Sequence, residues 1–434
     1  MKTSYLIVCV LLILSGCSNN TDEIISTTQN ETENKVEKDY QKALDLVKEF
    51  AEKVNRPKSK SFDFSAVEIK NVEKSSLPIK FTKEMPTVAK SKGIDMKESV
   101  DIYTFQFIKD GKEGFAIATD DPRHPTVLAY IEEGKLADTV ENSAPAFVFR
   151  NIKNIVLSDI NRYYGEKLLP QAKTKVIYQN WQFQPILTTK WTTNSPYNNN
   201  YHKPSGSSCT STENGKYPAS YTAIALAQCI AAYPIDRVFQ LDLPTLLTNK
   251  YNVRAFASTP TITPTSSHAS KVAQFVREFD SSQTTGGFTT FQCGGFGTKT
   301  TLNWANIGLN NVGLSRDYYR YNGTSTKLSK FVEYIVKACR FDCPTIMAGY
   351  NSSLSGYAVW IIDAMNGPVA ENWSDYGDIF VHCNFMRGGQ FDGWLKNFQA
   401  PKGYYGNFIL GADYSYYLEA IHFRPVSPYI DPQY

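Results

Sequence analysis

The sequence predicts an α+β protein made of two successive modules, on three observations. Residues 39–55 repeat apolar residues at helical spacing, and from 102 to 134 short alternating runs take over, with turn residues between them. A Ser-, Thr- and Asn-rich stretch at 191–216 then interrupts the regular pattern. Beyond it stands a helix that is apolar nearly all round, Asn214 to Pro234, and later a further helix followed by apolar strands. The expected organisation is 1–16 signal peptide, 17–38 tether, 39–168 first module, 169–190 linker and 191–428 second module.

Residues 1–16 read as a targeting segment. Lys2 supplies the positive start, and Tyr5 to Leu14 form an apolar run too short to span a bilayer. The run ends in LSGC, the form of a lipobox, so Cys17 is the expected lipidated N-terminus after cleavage. The alternative is an ordinary secretory signal with Cys17 incidental. A lipid on Cys17 implies a bacterial cell-envelope lipoprotein held by acyl chains, with the outer membrane of a Gram-negative cell as the expected location. Residues 17–38 are polar without an aromatic residue and read as a disordered tether.

Composition narrows the function. The formal net charge is +3, which gives no basic face for nucleic acid. Aromatic residues make up 13%, including 27 Tyr, a composition that suits recognition surfaces as well as cores. After Cys17 come six cysteines, at 209, 229, 293, 339, 343 and 383. An exported chain permits disulfides, but mostly buried thiols are the favoured expectation. No C-x-x-C occurs, and the five histidines are dispersed, so no metal site and no cofactor are expected.

The elements follow in order. In residues 39–55, Ala43, Leu46, Val47, Phe50, Ala51 and Val54 fall on one helical face. Ile102 to Ile108, Gly114 to Asp120 and Thr126 to Gly134 read as strands, the first two joined through Asp110-Gly111, a hairpin signal. A helix is expected from about Ala144 to Tyr164. In the central helix Pro218 suits the first turn and Ser220 a cap. Ser266 to Phe279 reads as a helix capped by Ser266 or Ser267, and residues 326–340 as another. CPTIMAGY (Cys343 to Tyr350), GYAVWIIDAM (Gly356 to Met365) and the C-terminal stretch read as strands.

The central helix and its flanks resemble the streptopain family of papain-like cysteine proteases. That family's nucleophile helix reads Gly-Cys-Val-Ala-Thr-Ala-x-Ala-Gln, and Ala227-Gln228 falls on its closing Ala-Gln. Counting back, Ser220 lies on the glycine and Tyr221 on the catalytic cysteine. SPYNNN (Ser195 to Asn200) and CTSTENGK (Cys209 to Lys216) resemble the PYN and Cys-Pro…Asn-Gly-Lys segments upstream. GYAVWIIDAM is similar to Gly-His-Ala-x-Val-Ile-Asp-Gly, with Tyr357 on the histidine. GDIFVHCNFMRGG keeps Asn384 on the orienting asparagine but replaces the covering Trp-Gly-Trp with Phe385, Met386 and Arg387. GFAIATDDPRHPTVLAYIEEG resembles the family's propeptide, which folds separately and blocks the cleft. The resemblance thus implies a propeptide or inhibitor-like α+β domain followed by a papain-like fold of helix domain plus antiparallel sheet domain.

It also implies loss of the chemistry. A papain-type site needs a thiolate at a helix N-terminus beside a histidine, whereas a tyrosine phenol has a pKa of about 10 and a bulky ring. The expected protein is a pseudopeptidase with a binding or protease-inhibitory role, its partner a peptide or a protease. Its former cleft either holds a peptide or is filled by Tyr221 and Tyr357. An inhibitor acting in trans through residues 38–165, and a surface adhesin, are further readings. The enzymatic alternative is a zymogen using a relocated thiol, with Cys209 and His382 as substitutes. Cys229 lies too deep in the helix, and Ser220 has no base at position 357.

Overall fold

The computed structural model describes residues 40–55, 64, 67–83, 85–139, 143–168, 177–212, 214–232, 250–257, 259–281, 289–293, 301, 305, 316–321, 328–340, 342–351, 357–370, 378–396, 409–410 and 416–423. The signal peptide, the lipobox and the tether lie outside these residues. Two compact units divide at Lys42; of the first, residues 40–42 are described and open a helix, and residues 43–434 make the second.

The expected α+β class is observed. Helix α1, Gln41–Asn55, buries Ala43, Val47, Phe50, Ala51 and Val54. Strands β1 (Glu68–Pro78) and β2 (Lys80–Phe81) and the short helix α2 (Met85–Ser91) follow. Then come β3 (Ser99–Lys109), β4 (Lys112–Thr119) and β5 (Thr126–Ile131). Asp110 and Gly111 both take positive φ, 51° and 74°, as a two-residue hairpin turn matched to strand twist requires. The helix expected from Ala144 to Tyr164 is two helices, α3 (Ala144–Arg150) and α4 (Ile152–Leu168). They part at Asn151, whose Nδ2 donates to the Phe147 carbonyl at 2.7 Å and whose Oδ1 accepts from Asn154 at 2.9 Å.

In the segment expected as linker, residues 178–182 form strand β6 (Tyr178–Gln182), which pairs with a later strand. Helix α5 is Tyr221–Ala232 and helix α6 is Ala269–Phe279. The expected cap of α6 is corrected: His268 holds the N-cap, and Ser266 Oγ instead accepts from the His268 N–H one turn earlier, at 3.2 Å. Strand β7 (Arg316–Tyr321), helix α7 (Leu328–Arg340) and strands β8 (Thr345–Asn351), β9 (Tyr357–Ala370), β10 (Phe380–Asn384), β11 (Gly393–Lys396), β12 (Ile409–Leu410) and β13 (Tyr416–Phe423) complete the described elements.

All the pairings are antiparallel, and they join both modules in one sheet. Among the described residues its order is β1-β3-β4-β5-β11-β10-β9-β8-β13-β7, with β6 on β9. The seam between modules is β5 against β11, where Tyr130 stands opposite Trp394. One core cluster crosses the seam, with Leu128, Val148, Ile155 and Ile160 from the first module and Trp360, Met365, Val381 and Leu395 from the second. A second cluster gathers α5, α6 and one face of β8 and β9, through Ile224, Leu226, Phe275, Ile346, Val359 and Ile361. No helix among the described residues is long and apolar enough to cross a membrane.

Candidate functional site at the start of helix α5

Helix α5 starts where its cap is fixed. Ser220 Oγ accepts from the Ala223 N–H at 2.9 Å and donates to Asp280 Oδ1 at 2.6 Å. The Ser220 N–H donates to Asp280 Oδ2 at 2.9 Å, and the Tyr201 hydroxyl donates to the same oxygen at 2.6 Å. Burial, and then the Asp280 charge, push the Tyr201 hydroxyl well above its ordinary pKa, so it remains a donor. Ser220 is therefore the expected cap, 1% exposed and held by a carboxylate, with no room to act as a nucleophile. Pro218 is corrected: the helix begins at Tyr221, so this proline lies before the first turn.

The upstream motifs meet here. Asn198 and Asn214 exchange amide hydrogen bonds at 2.8 and 3.0 Å, tying SPYNNN to CTSTENGK. Asn198 Nδ2 also reaches the Tyr217 carbonyl at 3.1 Å. The loop that precedes α5 is thus fixed by amides at both of its anchors.

Tyr221, the first residue of α5, is half-buried against the second core cluster. Tyr357, the first residue of β9, is half-buried against the same cluster and pairs across the ladder with Tyr350. Asn384 is engaged elsewhere. Its Oδ1 accepts from Gln228 Nε2 at 3.3 Å and from the Met386 N–H at 2.9 Å, and its Nδ2 donates to the Thr189 carbonyl at 3.2 Å. Gln228 in turn accepts the Trp191 N–H at 3.0 Å. On the ladder Asn384 stands opposite Ile361, four residues beyond Tyr357, or about 13 Å at the usual strand rise. The retained asparagine therefore ties α5 to the end of β10 and the Thr189 segment.

Met386 takes φ of 56°, a backbone that favours glycine, where the resembling family has glycine. Its side chain is buried in the second core cluster, and that packing offsets the strain.

The relocated thiol is also corrected. Cys209 is joined to Cys293 in a disulfide, so it presents no thiolate. Cys229, Cys339, Cys343 and Cys383 are buried thiols outside that disulfide, in line with the expectation of buried thiols. Burial, reinforced by the Asp363 charge, pushes the Cys229, Cys339 and Cys383 thiols up, away from nucleophilic character.

His382 has a partner that sequence reading did not assign. Its Nδ1 lies 2.6 Å from Oδ1 of Asp363, a carboxylate with no exposed surface. Asp363 occupies a bulge: β10 runs from His382, opposite Ala364, directly to Cys383, opposite Ile362. The other Asp363 oxygen accepts the Leu187 N–H at 3.0 Å. Trp394 lies edge-on to the imidazole at 5.5 Å. Asp392, half-buried nearby, has its carboxyl pushed up to about 7 by desolvation, against the Phe385 N–H that donates to it at 2.9 Å. The arrangement can orient an imidazole and carry a proton, but Cys209 cannot supply the sulfur it would need and Cys383 belongs to the core behind it. Asp363 had one sequence signal, a lone carboxylate inside an apolar run.

No family model and no curated protein sequence matches the chain. Two solved structures are similar. A fragment of Prevotella intermedia prointerpain A with a cysteine-to-alanine substitution shares 17% identity, over 73% of this chain and 94% of that one, with a TM-score of 0.47. Active wild-type Prevotella intermedia interpain A cysteine protease shares 16% identity, over 55% of this chain and 94% of that one, with a TM-score of 0.36.

Proposed function

We propose that this chain is a catalytically inactive relative of the streptopain-type cysteine peptidases, an envelope lipoprotein that binds peptide or protein. The observation that carries the reading is at the start of α5. The position that the motifs assign to the nucleophile holds Tyr221, half-buried on the core, and Tyr357 holds the position of the base. The substitute sulfur, Cys209, is closed in a disulfide with Cys293. The two rings pack on the core where a peptidase cleft would need an open thiolate and imidazole.

Lipidation at Cys17 rests on the LSGC sequence. Labelling with a radioactive fatty acid should mark the wild-type chain and leave Cys17→Ala unmarked; equal labelling removes the anchor from the proposal.

The functional test is hydrolysis of a denatured protein by the chain from residue 18 onward, under reducing conditions, with and without a thiol-alkylating reagent. No turnover in either state is expected. Thiol-sensitive turnover would restore the zymogen reading and show that the assignment of Tyr221 is wrong.

A further inference from the structure

The two modules meet at a cluster of charged side chains. Lys396, at the end of β11, has no exposed side-chain surface. Its ammonium lies 2.7 Å from Asp159 Oδ2 on α4 and 3.1 Å from Asp378 Oδ1 before β10, and it touches His124 Nε2. His124 Nε2 is 3.1 Å from Asp159 and 3.4 Å from Asp378, and Arg162 reaches both carboxylates at 3.4 Å. His124, Asp159 and Asp378 have the donor types of a metal site and lie within 4.8 Å of one another. The Lys396 ammonium contacts all three and serves as their cation. Burial opposes ionisation of Asp159, but the charge of Lys396, with His124 and Arg162, outweighs it and holds the carboxyl below its ordinary range.

His124, Asp159 and Arg162 come from the first module, Asp378 and Lys396 from the second. The formal charges of the two carboxylates and two cations cancel when the imidazole is neutral. Splitting the modules would part the buried Lys396–Asp159 pair, leaving Lys396 with Asp378 alone and Asp159 with Arg162 and His124. It would also strip β5, buried at every position, from β11 and cut one core cluster in two. Close packing supports the same seam. A Cβ on Gly393 would stand 2.4 Å from the Tyr130 carbonyl, and one on Gly349 would stand 2.3 Å from the Phe147 ring of α3. Phe391 N–H donates to the Glu133 carbonyl at 2.7 Å across the same boundary.

We propose that the first module is a permanent half of this fold, locked by the Lys396–Asp159–Asp378–His124–Arg162 cluster, and is not released when the segment between the modules is cut. The inference rests on the proposed function only for describing the first module as propeptide-like. It removes one route to inhibition in trans, because cutting the chain would not free an inhibitor.

The test uses the full soluble chain with a specific protease site placed in 169–176. After cutting, both halves should elute together at the volume of the uncut chain, also in roughly 1 M salt, where the Debye length falls to about 3 Å. They should unfold in a single transition. Separation of the halves in native buffer, or two independent transitions, would overturn the proposal. Cut Lys396→Met should release at least tenfold more free first module than the cut parent chain. If that variant does not fold, Asp378→Asn, which removes a charge at the more exposed side, should show a smaller release in the same direction. Release no greater than that of the parent in the variant that folds would exclude the cluster as the lock. Assaying protein hydrolysis on the same cut sample keeps the two readings apart. Turnover by halves that stay together would overturn only the proposed function, and separation without turnover only the lock.

Discussion

Two charged clusters, each built on a buried carboxylate, lie at opposite ends of β10, and they behave differently. At the start of the strand, Asp378, with Asp159, Lys396 and Arg162, forms a set whose charges cancel. Near its end, among the described residues, His382 is the one basic side chain hydrogen-bonded to Asp363, while Asp392 is held by a backbone N–H. In the first cluster Asp159 is driven below the ordinary carboxylate range; in the second Asp392 is driven up to about 7. Burial raises both carboxyls. The sign of each shift is decided by whether an ammonium stands beside it. The seam between the modules has its cation, and the Asp392 carboxyl keeps its proton to near neutrality.

The largest effect should come from unbalancing the first cluster. Lys396→Met removes the buried ammonium and leaves two carboxylates to Arg162 and His124 alone, and should cost about 3–5 kcal/mol in urea unfolding. Adding Asp159→Asn should recover part of that loss, and simple additivity of the two changes would mean that the residues are not coupled. Because the Asp159 pKa is lower in the folded chain, its contribution is present above about pH 4 and is lost as the pH falls through the folded value. Acid titration of stability should therefore be steep in the parent and flatter in the double variant.

The second cluster should show the opposite slope. The folded Asp392 pKa is raised from 3.8 to about 7, so its contribution is fully present below about pH 4 and disappears as the pH rises through about 7. Asp392→Asn keeps the acceptor for the Phe385 N–H and removes the titration. Its stability relative to the parent should rise by a few kcal/mol between about pH 4 and pH 8. An unchanged difference across that range would show that Asp392 does not titrate there.

A smaller effect is expected from the packing of the seam. Gly349→Ala places a methyl group against Phe147 and should cost about 1–3 kcal/mol, read from the thermal midpoint. Smaller again, Ser220→Ala removes the cap of α5 and should cost about 1 kcal/mol, since Asp280 keeps the Tyr201 hydroxyl as a donor. A loss above about 3 kcal/mol would mean that Ser220 does more than cap the helix.

Much of the local structure was legible in the chain. Periodicity marked α1, α6 and α7, and Asp110-Gly111 fixed the β3–β4 turn, because these depend on neighbours in sequence. That positions 221 and 357 hold tyrosine, the basis of the proposed loss of catalysis, is likewise written in the residues. The break at Asn151 was missed because a side-chain amide can compete with the helix only where packing lets it.

Long-range choices were not legible. That Cys209 meets Cys293 among 15 ways of pairing six cysteines, that a bulge turns Asp363 toward His382, and that Lys396 meets His124, Asp159 and Asp378 all depend on which strands become neighbours. The sequence by itself determined the periodic helices, the β3–β4 turn, the Ser220 cap and the tyrosines at 221 and 357, because those are matters of local backbone preference and side-chain identity. Only the tertiary structure decided that the two modules share a sheet and a core. Strand partners are selected by the burial they achieve together, and no single segment contains that information.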